Sequence, residues 1–184
     1  PVVLPPLRER VGDVPLLVEA FVAERVFEVD LPELTPIVAR KADSPGPTRL
    51  NLILPGVSSR HVFGGAATAL ALFDALWQGE QRRVLVTDEQ SLEEIDPKRF
   101  AGWQIALLEA AHSGATPLLV PMADRNARSL PVHRNDRFMA TAWWTAHHAR
   151  SLVRWQRDVY GLPHAARFVY LIQDYEPGFY PWST

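Results

Sequence analysis

The chain has 184 residues, a formal net charge of −2 and 47% hydrophobic residues, which is the composition of an ordinary globular domain with its own core. It contains no cysteine, and this excludes disulfides, thiolate metal sites and cysteine nucleophiles. The near-neutral charge argues against a general nucleic-acid binder. Because the sequence shows no apolar run of about 20 residues that would span a membrane and no secretory signal, we expect a cytoplasmic protein.

Residues 1–47 are predicted to be an N-terminal extension and proline-rich linker that precedes the main domain, residues 48–184. Prolines interrupt the opening PVVLPPLRER, helical spacing follows from Val14 to Val26, and DSPGPT marks the linker. Residues 1–24, which include PPLRERVGDVPLL, weakly resemble the lid-start segment of AAA+ activators of the alternative sigma factor. The sequence contains no Walker A phosphate loop, so this resemblance implies no ATPase activity.

From Arg49 onward the sequence alternates between predicted strands and helices. LNLIL is apolar on both faces, as in a strand of a parallel sheet, and a helix is predicted from Ala66 to Trp77. A second helix is predicted from about Trp144 to Tyr160, and further strands are predicted at RVLVT, TPLLVP, FMATA, FVYLIQ and the more ambiguous WQIALLEAA. This alternation predicts an α/β fold with a Rossmann-like, mostly parallel sheet and helices on both faces. In such folds, ligands bind beyond the carboxyl ends of the strands.

The loop after the first of these strands ends in Gly64 and Gly65 and leads directly into a helix. Glycines at a helix N-terminus allow a phosphate or a sugar to approach the backbone N–H groups. His61 lies three residues before Gly64 and is a candidate acid, base or hydrogen-bond donor at the same site. The pattern is not the G-x-G-x-x-G fingerprint, so a plain turn with a polar loop histidine remains the alternative.

Two adjacent tryptophans, Trp143 and Trp144, follow the FMATA strand and precede Thr145. A flat indole ring complements the C–H face of a pyranose, which makes this turn a candidate sugar-binding surface. The alternative is structural, with one ring buried and the other covering a helix.

A carboxylate pair, Asp174 and Glu176, follows the last predicted strand. Carboxylates at this edge of the sheet are candidates to bind sugar hydroxyls or to act as acid and base, whereas turn formation and capping are the alternative. The sequence has no HExxH or GxSxG motif and no His/Asp metal cluster, so no metal site is predicted.

The second predicted helix carries three arginines, Arg150, Arg154 and Arg157, on roughly one face. The planar guanidinium group suits phosphate and carboxylate partners, so this face is a candidate contact for an anionic membrane surface or a diphosphate. A solvated surface is the alternative.

Several blocks of the sequence, taken in order, resemble the N-terminal domain of WsaF-type rhamnosyltransferases. The blocks are RLNLILPGVSSRHVFGGAATALALF, RVLVTDE, VPMADRNARSLPV, ATAWWTA and YLIQDYEPGFYPWS, and together they cover about residues 48–184. Members of that family are retaining glycosyltransferases of the GT-B fold that assemble bacterial surface polysaccharides and S-layer glycans. The resemblance implies the acceptor-side half of such an enzyme, and a second, C-terminal domain that binds most of the nucleotide-sugar is expected beyond Thr184.

The resemblance also implies roles for the candidate residues. Gly64, Gly65 and His61 would face the donor diphosphate in the cleft between the two domains. No catalytic residue is assigned, and no metal or cofactor is expected besides the dTDP-sugar substrate. The acceptor side would be lined by residues of the two later blocks: Trp143, Trp144, Thr145, Asp174 and Glu176.

The leading hypothesis is therefore transfer of a deoxyhexose such as rhamnose from a dTDP-sugar to a growing bacterial surface glycan. The expected partners are the nucleotide-sugar donor, the glycan acceptor and the second domain, with a membrane surface as a further candidate and no nucleic acid. The alternative hypothesis is a non-catalytic carbohydrate- or nucleotide-binding module of the same fold.

Overall fold

The computed structural model describes residues 32–42, 46, 48–58, 64–76, 81–89, 95–111, 117–163 and 167–172. Helices within these ranges are α1 (Gly65–Leu76) and α2 (Trp143–Tyr160), and Pro32–Leu34 and Leu108–Ala110 form short 3₁₀ turns. The strands are β1 (Val38–Lys41), β2 (Arg49–Leu54), β3 (Arg82–Val86), β4 (Gln104–Ile105), β5 (Leu118–Pro121), β6 (Ser129–Val132), β7 (Asp136–Ala140) and β8 (Val169–Tyr170).

Six of these strands form one parallel sheet in the order β4-β5-β3-β2-β7-β8, and β1 pairs with β6 in a separate parallel ladder. Strands β3, β4 and β5 lie on one side of β2, and β7 and β8 lie on the other, so the strand order reverses between β2 and β7. The helices pack on opposite faces, since Phe73 of α1 and Leu152 of α2 belong to different core clusters. The predicted α/β fold with a Rossmann-like parallel sheet is confirmed.

The core is divided into two layers by the alternation of side chains along the central strands. Leu52 of β2 packs on the α1 side together with Val84, its partner on β3. The next pair, Ile53 and Leu85, packs on the α2 side. Every residue of β2 is buried, which explains why its sequence is apolar on both faces.

Some predicted elements are shorter in the structure than in the sequence interpretation. Within the described residues 168–172 of FVYLIQ, only Val169–Tyr170 forms a strand, which pairs with just the last two residues of β7. The ambiguous WQIALLEAA contributes the two-residue edge strand β4, which pairs with the start of β5 and is followed by a 3₁₀ turn.

Two strands, β1 and β6, were not predicted, because each has only four residues and is interrupted by charged or proline positions (VARK and SLPV). Strand β1 lies inside the predicted N-terminal extension, yet it pairs in register with β6 over its whole length. The division of the chain into residues 1–47 and 48–184 stays a prediction. The helix predicted from Val14 to Val26 lies outside the described residues.

The central strands are joined at their amino ends by a buried ionic cluster. Asp136 at the start of β7 accepts two hydrogen bonds from Arg49 at the start of β2, at 3.0 Å from Nε and 2.8 Å from Nη2. Arg83 of β3 lies 3.5 Å from the same carboxylate and donates to Asn51 at 2.6 Å. The ionised side chains are almost completely shielded from solvent, so one carboxylate links the three central strands.

Both arginines of this cluster also donate to the backbone carbonyls of Ala111 and Pro131. Two cations here share one anion in the protein interior. The pKa of Arg83 is lowered to about 9, mainly by burial and also by the nearby charge of Arg49, while the charge of Asp136 opposes the shift. The negative charge of Asp136 therefore compensates the buried positive charge of the two arginines.

We predict that Asp136→Asn destabilises the fold by about 3–5 kcal/mol, because it leaves two buried guanidinium groups without a counter-charge. Urea denaturation measures the free energy of unfolding of the variant and the wild type. The matched control is Asp158→Asn, which removes an exposed carboxylate 2.7 Å from Arg157 and should cost less than about 1 kcal/mol. Equal, small losses in the two variants would show that the buried cluster does not hold the strands together.

Candidate functional site

The strand order reverses between β2 and β7, and open α/β sheets bind their ligands in a crevice outside the carboxyl ends of the strands at such a reversal. The chain that follows β2 leads to the N-terminus of α1, and the chain that follows β7 leads to the N-terminus of α2. Asp88 lies beyond β3, the other neighbour of β2. Three sequence blocks identified above are thus brought to one edge of the sheet.

Gly64 forms the open N-terminal end of α1. Its backbone has a φ of 51°, in the left-handed region that favours glycine, and its carbonyl accepts hydrogen bonds from the backbone N–H and the hydroxyl of Thr68. A Cβ added at Gly64 would meet no atom within 4 Å. The first turn of α1 contains no acidic residue, so no side chain of that turn repels an anion that approaches this positive end of the helix dipole.

The start of the loop after β2 is fastened to the end of β3. The carboxylate of Glu89 accepts hydrogen bonds from the backbone N–H groups of Val57 at 2.6 Å and Ser58 at 3.1 Å. The N–H groups of Thr87 and Asp88 donate to carbonyls of residues 54 and 55. Glu89 was not among the predicted site residues, although its position shortly after the strand in RVLVTDE was a usable signal. It fixes the backbone at the start of this loop, at Val57 and Ser58.

The turn that begins α2 is organised by Thr145. Ala142 at the N-cap position has no side-chain oxygen, and the Thr145 hydroxyl instead accepts hydrogen bonds from the N–H groups of Thr141 and Ala142, both at 3.0 Å. The same hydroxyl donates to the Ala142 carbonyl at 2.9 Å. Thr145 is fully buried and all of its hydrogen-bonding capacity is used by the backbone. It positions the turn, and its predicted contact with a sugar remains untested.

Trp143 and Trp144 are both half-buried, and their rings meet edge to face with centroids 5.7 Å apart. The indole N–H of Trp144 donates to Oδ2 of Asp88 at 2.9 Å, which ties the start of α2 to the end of β3 across the carboxyl end of β2. Neither ring is sunk in the core, so the pair retains the partly open apolar surface that sugar stacking requires.

The carboxylate of Asp88 lies in a partly desolvated position. Burial raises its pKa above the ordinary value, and the hydrogen bonds from Thr87 and Trp144 act in the opposite direction. The charge of Glu33 adds to the upward shift, and the charge of Arg125 opposes it. Asp88 therefore belongs to a polar cluster that reaches beyond the crevice to the segment before β1.

A ring of hydrogen bonds joins that segment to the sheet edge. Buried Arg125 donates to the carbonyls of Glu33 at 3.1 Å, Thr35 at 2.7 Å and Thr87 at 2.9 Å. Nε2 of His148 lies 2.7 Å from the Glu33 carbonyl and must be the protonated nitrogen, since a carbonyl only accepts. We call this group of residues, together with Asp88 and Trp144, the polar ring.

Several predicted site residues cannot be placed in this geometry. His61, Asp174 and Glu176 lie outside the described residues, and their roles stay predictions. Arg150 and Arg154 are exposed on α2, and exposed Arg157 forms an ion pair with Asp158; contact of this face with a membrane also stays a prediction.

Two negative findings apply to the part of the chain that the structure covers. Within it, no group of three or more His, Asp or Glu side chains is arranged to hold a metal ion. Within the same ranges, no helix combines the length and the apolar character needed to cross a membrane.

His148 should make stability depend on pH. Burial lowers the pKa of His148 to about 4, whereas its ordinary value is 6.5. Between these values the unfolded chain binds a proton that the folded chain does not, so stability falls as pH decreases through this window. The loss approaches about 3 kcal/mol below the folded-state pKa.

Denaturant unfolding of the wild type, His148→Gln and the exposed-neighbour control His147→Gln, at about pH 7 and about pH 4.5, measures this contribution. The wild type and the control should lose stability on acidification by more than His148→Gln does. Parallel losses in all three proteins would mean that His148 titrates as it does in the unfolded chain.

A comparison with known protein families identifies the family of this chain. The model of the family described as WsaF, N-terminal domain, matches residues 49–184, a range that contains β2, both helices and the tryptophan turn. A search of curated proteins found no match. Since the family match covers more than half of the sequence, the chain belongs to the WsaF N-terminal domain family.

Proposed function

We propose that this chain is the acceptor-side domain of a retaining GT-B glycosyltransferase that transfers rhamnose from a dTDP-sugar to a growing bacterial surface glycan. Membership of the WsaF N-terminal domain family makes the chain a glycosyltransferase-related domain. The sugar, the nucleotide and the acceptor role come from the resemblance of the sequence blocks to WsaF-type rhamnosyltransferases. In the proposed enzyme, a second domain binds most of the donor.

The observation that most supports this proposal is the meeting of two chemically different surfaces at the strand-order reversal. One is the open, positively polarised N-terminus of α1 at Gly64, which suits a phosphate group. The other is the tryptophan pair at the start of α2, which suits the apolar face of a sugar ring. A glycosyltransferase needs both kinds of surface in one cleft, because it brings a sugar diphosphate and a sugar acceptor together.

The proposed role of α1 is electrostatic. Negative charge grows on the departing nucleoside diphosphate as the bond between its phosphate oxygen and the anomeric carbon of the donor sugar breaks. Oriented backbone N–H groups at a helix N-terminus stabilise such charge without having to reorient during the reaction. The proposal assigns no protein side chain as general base, and the departing phosphate itself is the group next to the attacking acceptor hydroxyl in a front-face retaining reaction.

Gly64→Ala tests the phosphate role against a control with the same backbone strain. Gly161 at the end of α2 also has a positive φ, 60°, and open space around its Cα. Alanine at either position should cost about 1 kcal/mol of stability. Only the methyl group at position 64 stands at the proposed diphosphate site, so only Gly64→Ala should lower the turnover number for sugar transfer, by about tenfold.

Turnover is measured with the enzyme that carries both domains, at a temperature where both variants are fully folded. Equal turnover numbers for Gly64→Ala and Gly161→Ala would rule out close approach of the diphosphate to the start of α1.

Calorimetric titration tests which ligand this domain binds and which ligand the second domain binds. The chain should bind an oligosaccharide that contains rhamnose, and it should bind dTDP weakly, because the proposed donor site belongs largely to the second domain. Tight dTDP binding by this chain without any binding of the oligosaccharide would instead favour a nucleotide-binding module of the same fold.

A further inference from the structure

The segment from Glu33 to Lys41 precedes the part of the chain that matches the family model, which begins at residue 49, yet it is built into the domain. Strand β1 pairs with β6, and the carbonyls of Glu33 and Thr35 accept hydrogen bonds from buried Arg125. His148 adds a contact of 2.7 Å to the Glu33 carbonyl. The backbone at Glu33 is therefore held by two side chains from different parts of the domain.

The same two side chains bring Glu33 next to the crevice. The guanidinium group of Arg125 that binds the Glu33 carbonyl also donates to the carbonyl of Thr87, the residue before Asp88. On α2, His148 lies one turn after Trp144, and Trp144 binds the Asp88 carboxylate. The contacts of the polar ring therefore connect Glu33, on one side, with Asp88 and Trp144 on the other.

The carboxylate of Glu33 has one oxygen atom that accepts no hydrogen bond from the described part of the chain. Its Oε2 atom is buried, and no described residue donates a hydrogen bond to it. A buried carboxylate oxygen without a donor costs free energy, so this position calls for a donor from outside the described residues. Burial raises the pKa of Asp88, and the negative charge of Glu33 raises it further, so the two carboxylates interact electrostatically.

We propose that Glu33 and Asp88, together with the indole ring of Trp144, form a subsite that binds hydroxyl groups of the acceptor carbohydrate. This inference rests on the proposed function of the domain. Ionised carboxylates are acceptors only, and they form strong, charge-assisted hydrogen bonds with hydroxyl donors. The adjacent indole ring supplies the apolar surface that complements the C–H face of the same sugar.

A hydroxylated ligand fits this subsite better than a cation does. The guanidinium group of Arg125 lies against the Glu33 backbone, and its positive charge already acts on Asp88. A metal ion would have to enter beside that charge. Within the described residues, moreover, no set of three His, Asp or Glu side chains is arranged to hold a metal ion.

Binding of methyl α-L-rhamnopyranoside to the chain, followed by NMR titration, tests the proposal with four variants. Glu33→Ala keeps the backbone carbonyl that Arg125 and His148 bind, so the fold is retained, but it removes the proposed acceptor. Asp88→Asn keeps an oxygen that can accept from Trp144 and removes the charge. Trp143→Ala changes the tryptophan surface without touching either carboxylate, and Asp158→Asn is the control for an exposed carboxylate on α2.

Glu33→Ala should raise the dissociation constant about tenfold and Asp88→Asn about fivefold, while Asp158→Asn should leave it unchanged. Thermal unfolding of each variant checks that the chain is folded.

Wild-type affinity in both Glu33→Ala and Asp88→Asn would overturn the subsite. If Trp143→Ala weakened binding in the same experiment, the proposed function would still stand. A wild-type chain that binds no sugar contradicts both proposals. If the two variants change the binding of Mg²⁺ and not of the sugar, the carboxylates hold a cation and the subsite is wrong.

Discussion

The fold depends on a single buried carboxylate. Asp136 of β7 forms ion pairs with Arg49 of β2 and Arg83 of β3. These charges lie in the interior, at the amino ends of the three central strands. Parallel strands come from distant parts of the sequence, and their apolar faces alone leave the order of neighbours weakly specified. An ion cluster with one anion and two cations favours the observed arrangement, because a buried arginine that loses this carboxylate is left without its counter-charge.

The two ends of the sheet consequently have different tasks. At the amino ends, polar side chains are buried and bound to one another, and they serve the architecture. At the carboxyl ends, polar side chains such as Glu89 and Thr145 hold backbone turns, while Asp88 and Trp144 remain partly accessible around a crevice. Chemistry can vary at the second end without disturbing the charges that fix the first.

The sequence predicted the fold where hydrophobic pattern and burial coincide. LNLIL is apolar on both faces because β2 lies at the centre of the sheet, and Gly161 marks the end of α2 because it adopts a left-handed conformation there. The pattern did not predict β1 and β6, whose four-residue ladder depends on contacts with distant chain and not on their own apolar content. Glu33 could not be found from sequence either, since the contacts of its carbonyl come from Arg125 and His148, in two other parts of the chain.

The contacts of Arg125 and His148 with the Glu33 carbonyl have a consequence for how the domain is delimited. The family match begins at residue 49, so a fragment cut at that point would keep every matched residue and still lose the acceptors of two buried donors. Arg125 would retain its bonds to Thr87 and Met122 and give up those to the removed segment. The range of the family match and the range of chain that completes the buried hydrogen bonds thus differ in this protein, and the shorter range leaves the guanidinium group of Arg125 with fewer acceptors.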